Sequence, residues 1–147
     1  MSRIRIVTGL ALAPAAVAAV LLLPTPWLAL LAAVLVLAGL WEWTRLTGIA
    51  EPASRLGYVS ANALMMAAIA WAAGPNLFAF KAATLLGAVW WLFALVWLWR
   101  FEFGQADRGR FRMLKLLAGS LAAVPAWAAL VWLHQLPDHG PRWALFA

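Results

Sequence analysis

The chain has 147 residues and a net charge of +6, and 67% of its residues are hydrophobic while only 11% are charged. A soluble domain is about half apolar and a quarter charged, so a soluble globular fold is excluded, because it could not keep a polar exterior. The absence of cysteine excludes disulfides, thiolate metal sites and a cysteine nucleophile.

Five apolar segments, each about 18 residues long, are bracketed by charges, prolines or glycines. They are residues 6–23, 27–44, 56–73, 82–99 and 116–133. A helix of this length spans about 27 Å, close to the hydrocarbon thickness of a bilayer. Because lipid offers the backbone no hydrogen-bond partners, we predict an all-α, polytopic membrane bundle of about five transmembrane helices in a single region, 1–147. The apolar ending, 143–147, resembles the first turn of a truncated sixth helix.

The distribution of arginine and lysine predicts the side that each loop faces. With a cytoplasmic N-terminus, two of the eleven cations, Lys81 and Arg142, are outside and the other nine are inside. The positive-inside rule therefore favours this orientation, in a multi-pass protein of the cell (inner) membrane. The first segment is longer than the apolar core of a usual signal peptide, so we favour a retained helix over a cleaved leader.

One charged pair ends the second segment. Glu42 and Arg45 are three residues apart and so share a helix face. One interpretation is a pair that places a lipid headgroup or a catalytic ion. The other, which we favour, is a local ion pair that anchors the helix end at headgroup depth, where charge is tolerated.

A basic cluster precedes the fifth segment and consists of Arg108, Arg110, Arg112 and Lys115. Such a cluster attracts anionic lipid headgroups by on the order of 1 kcal/mol per residue, and it is also a topology signal. We take these four cations, together with the charged pair of the second segment, as candidate lipid headgroup contacts. Nucleic acid is disfavoured as a partner, because no basic helix or aromatic-basic face accompanies the charge.

The residues alone predict no catalytic group and no metal ligand set. His134 and His139 are the only histidines, and a metal site would need more ligands. The carboxylates form no obvious intramembrane pair for Mg²⁺. Ser60 and Asn62 in the third segment are expected to bridge neighbouring helices.

Three stretches of sequence carry a family resemblance. Residues 5–14 contain an arginine, a glycine and a proline within the first segment. Residues 40–48 contain the tryptophan-glutamate-tryptophan element Trp41-Glu42-Trp43. Residues 116–127 contain a glycine followed by Pro125 and Trp127. In this order and spacing they resemble the amino-terminal transmembrane half of the phosphatidate cytidylyltransferase (CDP-diglyceride synthase) family.

The resemblance implies a reaction of CTP with phosphatidate that gives CDP-diacylglycerol and pyrophosphate, a step of phospholipid biosynthesis. It implies a divalent metal, Mg²⁺, that neutralises the phosphates at the cytoplasmic side. The family's catalytic elements, an aspartate-bearing helix followed by lysine-rich and histidine-glycine-glycine motifs, lie in its carboxy-terminal half and are not present in this sequence. We therefore expect these 147 residues to be inactive by themselves and to meet Mg²⁺, CTP and phosphatidate only if a catalytic half completes them.

Three origins of such a chain stay open: a truncated gene product, an incomplete sequence, or one half of a split enzyme. The alternative function, from another class, is a small non-catalytic membrane scaffold or assembly partner, which the lack of catalytic groups favours. A transporter is a weaker interpretation, because transporters usually have discontinuous helices with polar residues at mid-membrane, whereas Glu42 lies at an interface. Membrane lipids and a second copy of the chain are the remaining candidate partners.

Overall fold

The computed structural model describes residues 2–99, 109–137 and 139–145, with side chains described for all of these except 2–11 and 109–111. The described residues form α-helices joined by short connections, without a strand, which confirms the predicted membrane helix bundle. The helices are α1 (Ser2–Leu22), α2 (Thr25–Leu46), α3 (Pro52–Ala72), α4 (Phe78–Trp99), α5 (Gly109–His134) and α6 (Gly140–Ala144).

Each of the helices α1 to α5 begins before the apolar segment that was predicted for it. The fifth helix begins at Gly109 rather than at 116, and the fourth at Phe78 rather than at 82. Prolines stand in the first turns of α2, α3 and α6, where a missing backbone donor costs nothing. The predicted sixth helix is present as the short α6, which starts earlier than expected.

Among the described residues, three helices are long and apolar enough to cross a membrane by length and composition: Thr25–Leu46, Phe78–Trp99 and Arg112–His134. The described part of α1 adds a shorter apolar stretch, Leu12–Leu22. Many large apolar side chains point outward, including Trp71, which is 90% exposed. Such a surface fits lipid rather than water. That α1 and α3 also cross the membrane stays a prediction.

Helix α5 lies at the centre of the bundle and packs against α2, α3, α4 and α6. Its buried residues Val124, Trp127, Ala128 and Val131 form the core together with Met66, Ala73 and Phe80. The Trp127 indole N–H donates to the backbone carbonyl of Ala29 at 2.9 Å, and its ring lies 5.6 Å from that of Phe80. One side chain of α5 therefore contacts both flanking helices.

The closest approach of α4 and α5 is at Gly87, which faces Pro125. A Cβ atom at residue 87 would overlap the Pro125 ring. The Pro125 ring and the backbone of α4 are both rigid, so only a glycine at position 87 allows the two helices to come this close.

Candidate functional site at the inner helix ends

The carboxyl end of α2 and the amino ends of α3 and α5 meet at one end of the bundle. We name it the inner face, because the positive-inside rule predicts that it is cytoplasmic. The Trp43 indole N–H donates to the backbone carbonyl of Lys115 at 2.9 Å. The Trp43 ring lies on Gly119, where a Cβ atom would be 2.5 Å from the indole nitrogen. Two of the three stretches that carry the family resemblance are thus in direct contact.

Helix α2 ends in a Schellman motif, which turns the chain toward α3. The amide of Gly48 donates to the Arg45 carbonyl at 3.1 Å, and the amide of Ile49 donates to the Thr44 carbonyl at 3.0 Å. Gly48 has a φ of +79°, a conformation that other residues adopt only with strain. The guanidinium of Arg112 lies 3.8 Å from where a Cβ atom at Gly48 would be. The first turns of α5 therefore lie beside this turn.

Arg55 fixes the start of α3 against the end of α2. Its Nε donates to the Thr44 hydroxyl at 2.8 Å, and its Nη2 donates to the Trp41 carbonyl at 3.0 Å. Its guanidinium carbon lies 4.1 Å from the centroid of the Trp41 ring, a cation–π contact. From the sequence alone, Arg55 is only one of the nine cations of the predicted inner side. Residue spacing along the chain does not predict these hydrogen bonds, because the two partners of Arg55 are 11 and 14 residues away in the sequence and belong to another helix.

The predicted charged pair is formed. The Arg45 guanidinium and the Glu42 carboxylate are 3.6 Å apart, and their side chains are 65% and 64% exposed. A pair this exposed contributes little to stability, but it leaves both charges accessible at the inner face. Whether the pair contacts a lipid headgroup stays a prediction.

The basic cluster is described only in part. Arg108 lies outside the described residues, as does the side chain of Arg110. Arg112 is exposed and Lys115 is half-buried, and both lie next to the end of α2 through the contacts with Gly48 and Trp43 given above. The structure therefore places these two cations on the same face as the charged pair.

A polar bridge that the sequence did not predict joins α3 to α5. The Tyr58 hydroxyl donates to the Leu116 carbonyl at 2.9 Å and accepts a hydrogen bond from Ser120 at 3.0 Å. The Asn62 amide donates within its own helix, to the Tyr58 carbonyl at 2.9 Å. The buried Oδ1 of Asn62 has no hydrogen-bond partner among the described residues, so the expected bridge between helices is made by Tyr58 and not by Asn62. A single tyrosine in an apolar helix is the signal that could have indicated this bridge.

His134 has a packing role at the opposite end of the bundle. Its Nε2 donates to the Val20 carbonyl at 2.9 Å, which leaves Nδ1 to accept from the Thr25 hydroxyl at 2.8 Å. The residue is 6% exposed. Both ring nitrogens are thus used to hold the α1–α2 connection against the end of α5.

The described residues do not fit the Mg²⁺ site that the resemblance implies. Within residues 2–99, 109–137 and 139–145, no group of three or more histidine, aspartate or glutamate side chains could hold a metal ion. Glu42 is paired with Arg45, and Glu51 accepts a hydrogen bond from Ser54 at 2.9 Å. No step through a metal can be derived from these groups.

The fold and the inner face define an all-α membrane protein whose lipid-facing helices carry a basic, tryptophan-containing end. Residues 3–147 match the cytidylyltransferase family. The chain is also 36% identical, over 138 residues, to the phosphatidate cytidylyltransferase of Pseudomonas aeruginosa. It therefore belongs to the cytidylyltransferase family, as the resemblance indicated.

The alignment with the Pseudomonas aeruginosa enzyme covers 93% of this chain and 49% of the relative. The chain thus spans about half the length of the relative that it matches. No solved structure matches the chain.

Proposed function

We propose that these 147 residues form the amino-terminal, lipid-facing membrane part of a phosphatidate cytidylyltransferase in the cell (inner) membrane. The observation that carries the proposal is the 36% identity to such an enzyme over nearly the whole chain. The complete enzyme would join CTP and phosphatidate to give CDP-diacylglycerol and pyrophosphate. The contribution of this chain is to hold the lipid substrate at the inner face.

The charges of the inner face suit the phosphate of phosphatidate. The basic cluster attracts an anionic headgroup by on the order of 1 kcal/mol per cation at the membrane surface. Arg112 and Lys115 are its described members, and we assign Arg108 and Arg110 to the same role. The Glu42–Arg45 pair, three residues before the turn at Gly48, limits how the headgroup approaches. CTP and Mg²⁺ belong to the part of the enzyme that these residues do not supply.

The first test separates the lipid-binding part from the complete enzyme. Residues 1–147 are expressed in a host depleted of its own enzyme, and the membranes are assayed for CDP-diacylglycerol from labelled CTP and phosphatidate with Mg²⁺. The same chain is then co-expressed with the unaligned half of the Pseudomonas aeruginosa relative. We expect no activity from the chain alone and activity from the pair. Activity of the chain alone would contradict its proposed dependence on another half.

The alternative, a non-catalytic membrane scaffold, predicts a different result. The described residues hold no group of metal ligands, which is the observation that favours it. If the two halves assemble, as judged by co-purification, and the pair still makes no CDP-diacylglycerol, the scaffold becomes the better interpretation.

A further inference from the structure

A groove runs along α5 between α2 and α4 and has a volume of about 640 Å³. Four tryptophans line it, Trp43, Trp90, Trp91 and Trp97, and glycine and alanine residues of α2 and α5 provide room between them. Trp91 is 54% exposed, so the groove is open to the side of the bundle. Of the described residues that line it, Lys115 is the one that carries a charge, and it lies at the inner end.

We propose that this groove holds one acyl chain of an anionic phospholipid, with the lipid phosphate at the Lys115 ammonium. The proposal rests on the proposed function only for the choice of phosphatidate as the lipid to be tested. The binding groove itself is inferred from its shape, its depth and the position of its charge.

The depth of the groove matches one leaflet. It extends along α5 from Lys115 to Ala123, and these eight steps correspond to about 12 Å at 1.5 Å per residue. Half of a hydrocarbon core of about 30 Å is about 15 Å. A chain that starts at the headgroup level therefore reaches almost to the bilayer centre within the groove.

The positive charge of Lys115 at the inner end of the groove favours a lipid with an anionic headgroup. Lipid tails are as apolar as the groove, so apolar contact alone selects no lipid. No carboxylate of the described residues lies within ion-pair distance of Lys115. The Trp43 indole N–H is already bound to the Lys115 backbone carbonyl, so the indole offers no free donor to a headgroup and Lys115 is left as the cation of this end of the groove. A phosphate at the end of an acyl chain supplies the missing anion.

A transmembrane helix fits the groove less well than an acyl chain. A helix with its side chains is about 10 Å wide, which is much wider than a single acyl chain. An apolar helix would also bring no anion to Lys115 at the inner end of the groove. An acyl chain is thin, and its headgroup brings the compensating charge.

The proposal is tested by substituting two glycines, one that lines the groove and one that lies outside it. A Cβ atom added at Gly39, in the groove, meets no atom within 4 Å, and the same holds at Gly57, on α3 and outside the groove. The backbone at both glycines therefore accepts a side chain, so Gly39→Leu is chosen to fill part of the groove and Gly57→Leu is the matched control. Circular dichroism verifies the helical content of each variant.

The purified chain is reconstituted in phosphatidylcholine vesicles with a small fraction of phosphatidate that carries a photoreactive diazirine in its acyl chain. No CTP or Mg²⁺ is present, so failure of the enzyme assay leaves this result unaffected. After irradiation, mass spectrometry maps the labelled residues. We expect labels on the groove faces of α2, α4 and α5, a several-fold loss in Gly39→Leu, and no loss in Gly57→Leu. Unchanged labelling in Gly39→Leu would overturn the proposal.

A second comparison tests the headgroup contact. With Lys115→Gln, the preference for the phosphatidate probe over a phosphatidylcholine probe is expected to fall about fivefold, equivalent to the loss of about 1 kcal/mol. Lys81→Gln, on the predicted outer side, should leave the preference unchanged. An unaltered preference in Lys115→Gln would remove Lys115 from the site.

The competing occupant is a helix of a second copy. The chain has no cysteine, so Gly39→Cys carries a unique thiol. Efficient cross-linking between two Gly39→Cys chains by a short bismaleimide, with weak lipid labelling of the groove, would replace the acyl chain by a second copy as the occupant.

Discussion

Arg55 and Arg45 both lie beside the carboxyl end of α2, but their surroundings differ. Arg55 donates two hydrogen bonds and stacks on Trp41, whereas Arg45 forms one exposed ion pair with Glu42. The sequence predicted the ion pair, because its partners are three residues apart on one helix. It did not predict the Arg55 contacts, which depend on how the turn at Gly48 places two helices.

Arg55→Gln is expected to lower the free energy of unfolding by about 1–3 kcal/mol, through the loss of charged hydrogen bonds and of the cation–π contact. The control Arg45→Gln should change it by less than about 1 kcal/mol, as for other exposed ion pairs. Unfolding in mixed micelles with increasing SDS, followed by circular dichroism, measures both. Equal effects of the two variants would contradict the structural role of Arg55.

At the opposite end of the bundle, Thr25→Val leaves the buried Nδ1 of His134 without a donor and is expected to cost about 1–3 kcal/mol. The control is Thr84→Val, because the Thr84 hydroxyl binds only the Phe80 carbonyl of its own helix at 2.8 Å, a bond with little net effect on stability. The same unfolding measurement compares them. If Thr84→Val lowers the free energy of unfolding as much as Thr25→Val does, the hydrogen bond to His134 does not stabilise the bundle more than a bond within one helix.

Helix α5 packs closely against α4 and α2 at two contacts, and one side of each contact is a glycine. Gly87 of α4 faces Pro125, and Gly119 of α5 faces the Trp43 ring of α2. In a membrane the helices gain little from burying apolar surface, so close van der Waals packing carries more of their association. Glycine at these contacts therefore sets the distance between helices.

Gly87→Ala is expected to destabilise the bundle by about 1–3 kcal/mol, because the added methyl group overlaps the rigid Pro125 ring. Gly57→Ala, where a Cβ atom meets no neighbour, should be neutral or stabilising by up to about 1 kcal/mol through helix propensity. SDS-induced unfolding again provides the measurement. A neutral Gly87→Ala variant would show that α4 and α5 are farther apart than described.

For the whole molecule, the open question is which helices cross the membrane. The helices α2, α4 and α5 meet the criteria of length and composition, whereas α3 contains several polar residues. The distribution of the eleven cations predicts that α3 crosses, because only then do Arg55 and Lys81 lie on opposite sides.

Single cysteines test this topology in a chain that has none. We expect Asn76→Cys, in the exposed α3–α4 connection, to react with a membrane-impermeant maleimide on intact cells. Ala50→Cys, in the exposed α2–α3 connection, should react only after the membrane is permeabilised. Equal reactivity at both positions in intact cells would contradict a crossing by α3 and the prediction of five spans.

Much of the fold was determined by the sequence itself. Apolar segments of bilayer length between charges and prolines require helices, because lipid leaves backbone groups no other partner. The three stretches of family resemblance also led to the family that the comparisons established. Spacing along one helix was enough to predict the pair of Glu42 and Arg45.

Only the tertiary structure decided which helix faces meet. The contact of Trp43 with Gly119, the position of Arg55 on Trp41 and the groove that ends at Lys115 each join residues of different helices. Helices rich in alanine and leucine are apolar on all sides, so their sequences carry almost no amphipathic signal for the face that packs. The packing faces follow instead from a few glycines and aromatic rings, whose partners can be recognised only in three dimensions.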